Sequence, residues 1–335
     1  MSKKVSVCLL TYNGEKYLPF CLQSLFQQSL KDWELFVMDN GSSDNSFGIV
    51  AELSHGKKNV IILPRKQYNI GFASGNNELF KHVSGEYVFL LNQDTLLSSD
   101  YLEKLVRQLD NHAQAGSATG KIMRWRIQKE DKLTDSPKSL KIDTAGLNIS
   151  KSFRVSDLAS GETDQGKYNG KKEIFGVSGA LPLYRSEAIK EVGFFDSAYF
   201  SYKEDVDLAF RLQSAGWQAY RVGGAVAYHD RGLFGDESSN DFKIAQHRRG
   251  KSLAQNYLSY RNHLYTLIKN LSLVDFLMYG VFILWYECKK LFYLIVFEQR
   301  SLYGLVEVVK KFPRLLQQRK IAKPISVKRW LKKND

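Results

Sequence analysis

The chain has 335 residues, 44% of them hydrophobic, and a net charge of +13, enough to bury one large core or a core with an appendage. The charge resembles a nucleic-acid signature until it is divided along the chain: residues 241–335 hold 19 Lys and Arg against 6 Asp and Glu, and residues 1–240 hold 29 of each. A neutral first two thirds argues against a nucleic-acid partner, and assigns the excess charge to the last third.

Short apolar runs then alternate with helical patterns. "VSVCLLTY" (5–12) reads as a buried strand and "YLPFCLQSLFQQ" (17–28) as an amphipathic helix. "WELFVMDN" (33–40) is a second strand, followed by a helix opened by "SSDNS", and "NVIILP" (59–64) is a third strand stopped by Pro64. A helix from about Ser74 to Val83 leads to a fourth strand, "YVFLLNQD" (87–94). Alternating strand and helix predict an α/β fold, a mostly parallel Rossmann-like sheet with helices on both faces. Ligands of such sheets bind beyond the carboxyl ends of the strands. Residues 125–172 read as a polar excursion, "EIFGVSGALPLYR" (173–185) returns to strand character, and a helix from about Glu204 and "WQAYRVGGAVAYH" (217–229) close a first domain, placed at 1–240.

The remainder, 241–335, reads as a basic, amphipathic helical region. Its most apolar stretch has an uncharged core of only 11 residues, Phe276–Tyr286, against the roughly 20 that a spanning helix needs. Apolar and basic positions mixed at helical spacing fit helices lying on an anionic membrane surface. A helical subdomain or homodimer interface is the alternative use. Cys8, Cys21 and Cys288 have no metal spacing and suggest no disulfide framework, and the apolar run near the start is too short for a signal peptide. The expected location is therefore cytoplasmic, peripheral on the inner face of the membrane.

Polar signatures fall at the strand ends. "TYNG" (11–14) follows the first strand and "MDNGSSD" (38–44) the second, where Asp39 can accept from a ribose hydroxyl or a base N–H. "YNIGFASGNNELF" (68–80) offers small residues and amides before a helix, which lets backbone N–H groups approach a phosphate. The fourth strand ends in Asn92 and Asp94; a hard divalent cation takes one or two protein carboxylates and leaves positions for substrate phosphates. His229, ending "VAYHD", can join Asp94 as a metal ligand or contact a phosphate.

The stretch "YFSYKEDVDLAFRLQSAGW" (199–217) puts Glu204, Asp205 and Asp207 at a helix start, where acids are common because of the exposed N–H groups and the dipole. At about 100° per residue, Asp205 lines up with Leu208, Ala209, Leu212 and Ala215. Asp207 falls opposite, beside Arg211, and reads as a surface pair. Glu204 is a flank or cap. Asp205 is the unusual one, an acid in line with the buried face.

With these residues in view, the chain resembles the inverting nucleotide-sugar glycosyltransferases of GT-A family 2, in the rhamnosyltransferase branch of cell-surface polysaccharide synthesis. "LLTYN", "VMDNGSSD", "NIGFASGNN", "LLNQDT", "VSGALPLYR", "GFFDSAYFSYKEDVDLAFRLQSAGW" and "VAYHD" match its motifs in order over roughly residues 4–230. The resemblance implies that Thr11, Asn13 and Asp39 bind the base and ribose, with Asn69, Gly71 and Asn76 near the diphosphate. It makes Asp94 the metal-binding acid for Mg2+ or Mn2+, Asp205 the general base, and Gly179 the point where donor sugar and acceptor meet. Glu204 and Asn92 are counted with the nucleotide-sugar site, and the expected acceptor is a lipid-linked glycan. Two departures stand out: Asn92 replaces the first acid of the metal motif, and Gln93 replaces a proline, which predicts a less rigid turn. An NAD-dependent oxidoreductase is disfavoured because no GxGxxG run follows the first strand. A catalytically inactive scaffold is disfavoured by the retained Asp94, Asp205 and His229.

Overall fold

The computed structural model describes residues 3–127, 139–231, 248, 250 and 252–331. Strands β1 (Val5–Thr11), β2 (Trp33–Asp39), β3 (Val60–Ile62) and β4 (Tyr87–Asn92) run parallel in the order β4-β1-β2-β3, joined by α1 (Leu18–Phe26), α2 (Ser46–Ser54) and α3 (Phe72–Phe80). The unbroken apolar run of β4 is explained by burial on both faces. Tyr87, Phe89 and Leu91 join the core under α1 and α2, and Val88 and Leu90 join the core under α3.

The chain continues through β5 (Thr95–Leu97), α4 (Tyr101–Asp110), β6 (Ala115–Arg124), β7 (Ile142–Thr144), β8 (Leu147–Ile149), β9 (Val155–Asp157), β10 (Lys171–Ile174) and β11 (Leu183–Arg185). Then come α5 (Ser186–Val192), α6 (Glu204–Ser214) and β12 (Gln218–His229). The main sheet has the order β10-β12-β6-β11-β4-β1-β2-β3, with β11 antiparallel to β4 and β6, and β12 parallel to β6. The chain thus forms the expected mostly parallel sheet, covered on both faces. Strand β6 has little apolar sequence, because small residues allow close approach: a Cβ on Gly120 would stand 2.2 Å from the Ala225 carbonyl oxygen. Strand β12 shifts register between Val222 and Val226, around Gly223 and Gly224. Such a bulge re-aims the rest of the strand, and His229 ends up opposite Thr95 of β5.

The last third forms α7 (Leu253–Asn270), α8 (Leu273–Phe297), α9 (Tyr303–Ala322) and α10 (Lys328–Leu331). The boundary placed at 240/241 lies outside the described residues, but α7 packs directly on α6. This corrects the reading of Asp207. Instead of lying on the surface it is 0% exposed, with Arg211 Nε, Lys269 Nζ and Asn270 Nδ2 each 2.9 Å from its carboxylate. The helical wheel left that face to water, whereas α7 covers it. Burial opposes ionisation, yet Lys269 and Arg211 hold the Asp207 pKa well below the usual carboxylate range. Asp207→Asn takes the shared carboxylate from two buried cations, leaving Lys269 with Asp196 and Arg211 with backbone carbonyls. The substitution is expected to lower stability by about 3 kcal/mol, read by urea unfolding at pH 7. A group with a depressed folded pKa contributes above its unfolded pKa and loses that contribution as pH falls toward the folded value. The variant's deficit should therefore shrink in acid; a deficit under about 1 kcal/mol at pH 7 would mean an exposed pair instead.

Helix α8 turns much of its apolar surface outward: Leu277 is 75%, Val281 80% and Trp285 67% exposed. Among the described residues, no helix is long and apolar enough to cross a membrane.

Candidate active site

Sheet register brings three loop starts to one edge: Thr11 lies opposite Asp39, and Leu10 opposite Asn92. Thr11 is buried and donates through Oγ1 to Gln93 Oε1 at 2.6 Å. Gln93 also accepts from the Tyr12 amide and donates to the Tyr12 carbonyl, both at 2.9 Å. The turn expected to be less rigid without a proline is thus pinned by side-chain hydrogen bonds to the β1 loop. Asn13 adopts a left-handed φ of 49°, and its Oδ1 accepts from the Ser43 amide at 2.8 Å, which joins the loops after β1 and β2. Asp39 accepts at Oδ1 from the amides of Gly41 and Ser42, each at 2.8 Å, with Arg65 Nε 3.5 Å away. Its Oδ2 is buried without a partner. An orphaned buried acceptor is costly, so this atom suits a hydroxyl or N–H donor from a ligand.

The loop before α3 is held by amides. Asn69 Oδ1 accepts from Asn40 Nδ2 at 3.0 Å and from the Gly71 amide at 2.8 Å. Gly71 sits at φ 89°, and a Cβ there would meet the Phe200 ring at 2.6 Å, so glycine is required where this loop meets the segment before α6. Asn76 departs from expectation: it is 1% exposed and donates to the Phe72 carbonyl of its own helix at 2.9 Å. One hydrogen of its amide is thereby used inside α3.

Pairing of β5 with β12 places Asp94 beside His229, with Nε2 3.3 Å from Asp94 Oδ1. The other ring nitrogen, Nδ1, lies 2.9 Å from Oδ2 of buried Asp143, which Arg231 Nε also contacts at 3.1 Å. Burial opposes a charged His229, but Asp94 and Asp143 on its two sides raise its pKa to about 9. A divalent cation fits here in place of the proton on His229 Nε2, because only the neutral ring has a lone pair to give. One carboxylate and one imidazole face each other, and a second carboxylate fixes the ring's orientation from behind. No cluster of three or more acidic, His or Cys donors occurs among the described residues, so substrate oxygens would have to complete any coordination shell. Asn92 is half-buried at the end of β4, and its backbone carbonyl accepts from Thr95 Oγ1 at 2.6 Å.

At the mouth of α6, Asp205 Oδ2 accepts from the Gly179 amide at 2.8 Å and Oδ1 from the Val206 amide at 2.7 Å. Burial raises its pKa above the usual carboxylate range, against the amides of Gly179 and Val206 and the charges of Lys203 and Arg231. Glu204 is pushed up to about 8 by burial and by the Asp205 charge, and its Oε2 is buried without a partner. Its carboxylate accepts from its own amide at the start of α6, and it forms an acid pair with the half-buried Asp205. Tyr184, on β11, has a buried hydroxyl without a partner whose ionisation is opposed first by burial and then by Asp205 and Glu204. Arg231 contacts Asp143 behind His229 and also pairs with Asp157.

Phe200, Tyr202 and Lys203, just before this acid pair, have φ of 62°, 72° and 67°. Such conformations cost non-glycine residues about 1–3 kcal/mol each and cluster where geometry is imposed from outside. Sequence reasoning missed Asp143, Tyr184 and Arg231. Asp143 meets His229 across 86 residues, a separation that no local pattern encodes.

The site thus comprises an acid pair at the mouth of α6, an Asp–His pair, and three strand-end loops on one edge of a mostly parallel sheet. The chain belongs to glycosyl transferase family 2, whose family model matches residues 6–193. Glycosyltransferase GlyA of Streptococcus pneumoniae is 32% identical over 117 residues, 35% of this chain and 16% of that protein. Poly-beta-1,6-N-acetyl-D-glucosamine synthase of Staphylococcus epidermidis is 25% identical over 210 residues, 62% of this chain and 45% of that protein. The chain spans less than half the length of either. Mannosyltransferase PcManGT from Pyrobaculum calidifontis, solved with GDP-Man and Mn2+, superposes with a TM-score of 0.51 at 14% identity, over 96% of this chain and 85% of that one. That likeness shows a shared fold.

Proposed function

We propose that the protein transfers a sugar from a nucleoside diphosphate donor to an acceptor hydroxyl, with inversion, and that Asp205 is the general base. The observation that carries this reading is the placement of Asp205: an acid of raised pKa, fixed by two backbone amides at the helix mouth. Asp205 takes the proton of the acceptor hydroxyl as its oxygen attacks the anomeric carbon and the bond to the diphosphate breaks. Asp39 Oδ2 accepts from the nucleoside, and the amide-braced loop of Asn69 and Gly71 faces the diphosphate. Asp94 and His229 would hold Mg2+ or Mn2+, which neutralises charge on the leaving diphosphate.

Motif resemblance alone puts dTDP-L-rhamnose first among donors, with UDP-hexoses and UDP-N-acetylhexosamines as alternatives. A thermal-shift screen of these nucleotide sugars with Mn2+ decides between them. One donor at 100-fold its Kd should stabilise by about 2.7 kcal/mol; no shift with any of them would contradict the reading.

We further propose that the outward face of α8 rests on the anionic inner surface of the membrane, where a lipid-linked acceptor would be met. Support comes from exposed Phe276, Leu277, Val281 and Trp285, accompanied by exposed Lys289, Lys310 and Lys311. Deleting the region would also remove α7 from behind α6, so point variants are the proper test. Leu277→Glu with Val281→Glu should reduce partition onto anionic vesicles by on the order of 100-fold, since each substitution removes about 1.5 kcal/mol of apolar burial. Equal flotation of both proteins, with a dimer only in the wild type, would assign the face to a second copy.

A further inference from the structure

The turn that delivers the acid pair is held from a distant part of the chain. Phe200, Tyr202 and Lys203 are all left-handed, with φ of 62°, 72° and 67°, and none has glycine's freedom to adopt that backbone. Such a run persists only where its surroundings impose it. On one side, the Ala73 amide donates to the Phe200 carbonyl at 3.0 Å, and Gly71 packs against the Phe200 ring.

On the other side stands α7. Asn262, 0% exposed, donates through Nδ2 to the carbonyls of Tyr199 at 2.9 Å, Ser201 at 2.9 Å and Tyr202 at 2.7 Å. An amide nitrogen carries two hydrogens, so these carbonyls share them, and their convergence needs this donor in place. Arg261 Nη2 adds the carbonyls of Ala198 at 2.8 Å and Tyr199 at 3.0 Å. Arg261 Nε lies 3.0 Å from Asn262 Oδ1, which fixes the amide with its nitrogen toward the turn. Gln255 Nε2 reaches the Tyr202 hydroxyl at 3.0 Å.

We propose that Asn262, oriented by Arg261, is a positioning residue for the base: it clamps the 199–203 turn so that α6 begins with Asp205 against the Gly179 amide. The role in turnover rests on Asp205 being the base; the clamp itself does not. By this inference α7, which carries no recognisable motif, positions the base from outside the site.

The test uses the full chain with Asn262→Leu, which keeps the branching at Cγ, is somewhat larger, and removes the donor. Hydrogen exchange of amides in 199–206 should quicken by about tenfold or more while β1 and β4 stay protected. Turnover of the nucleotide sugar selected by the donor screen should fall by about tenfold or more, with its KM within about twofold of wild type. Should Asn262→Leu fail to fold, Arg261→Gln removes part of the same clamp, and about threefold faster exchange in that turn is expected. Unchanged exchange in the turn overturns the clamp. A loosened turn with wild-type turnover overturns its role in positioning the base. Absence of turnover in the wild-type protein with every donor overturns the transferase reading instead, and with it the role of the turn, while the exchange result still reports whether the clamp exists.

Discussion

Asp205→Asn is expected to remove nearly all turnover while leaving donor binding in place. A positioned general base contributes about 10²–10⁴ in rate, and asparagine keeps the size of the side chain but cannot take a proton. Asn Oδ1 can still accept from the Gly179 or Val206 amide, so the start of α6 should persist. The wild-type pH profile carries the same signature. Burial raises the Asp205 pKa, against the charges of Lys203 and Arg231. The protonated, inactive form is therefore favoured further up the pH scale than for an exposed aspartate. Turnover should fall as pH drops through that raised pKa, and the acid limb should lie above the ordinary carboxylate range. A limb near pH 4, or an Asp205→Asn protein that keeps wild-type turnover, would remove Asp205 from the role.

Asp94→Ala is expected to act earlier, on the donor complex. Asp94 is the carboxylate at the Asp94–His229 pair, 3.3 Å from Nε2, and the two residues before it, Asn92 and Gln93, are neutral. Losing the charge that pairs with a divalent cation should cost several kcal/mol in the transition state, on the order of 10³-fold in turnover. The two variants separate in binding. Thermal stabilisation by donor plus Mn2+ should survive in Asp205→Asn and vanish in Asp94→Ala, where EDTA should make no further difference. Equal Mn2+-dependent stabilisation in both would mean that Asp94 is not a cation ligand.

The strands that carry the site were legible because β1, β2 and β4 are continuous apolar runs, and their carboxyl ends coincide once the sheet is parallel. The features that stayed hidden depended on partners far along the chain. Asp207 looked like a surface acid on a helical wheel because a wheel knows only its own helix; its real partners, Lys269 and Asn270, lie on α7. Strand β6 gave no apolar signal because its packing needs small residues such as Gly120. Asn76 has the composition of a phosphate loop, but its first turn of helix takes one hydrogen of the amide. Gln93 replaces one kind of rigidity, a proline ring, with another, hydrogen bonds to the β1 loop. Asp205 itself was visible, because an acid in line with Leu208 and Leu212 contradicts its own pattern.

The central claim is transfer by an aspartate base, and the most direct measurement is nucleoside diphosphate release. Wild-type and Asp205→Asn proteins are compared side by side with the selected nucleotide sugar, Mn2+ and a hydroxyl acceptor, and the anomeric configuration of the product is read by NMR. Acceptor-dependent release and an inverted product are predicted for the wild type. For the variant, release lower by about 10² or more is predicted at equal donor occupancy. Equal release by both proteins, or a product that retains configuration, would contradict the claim.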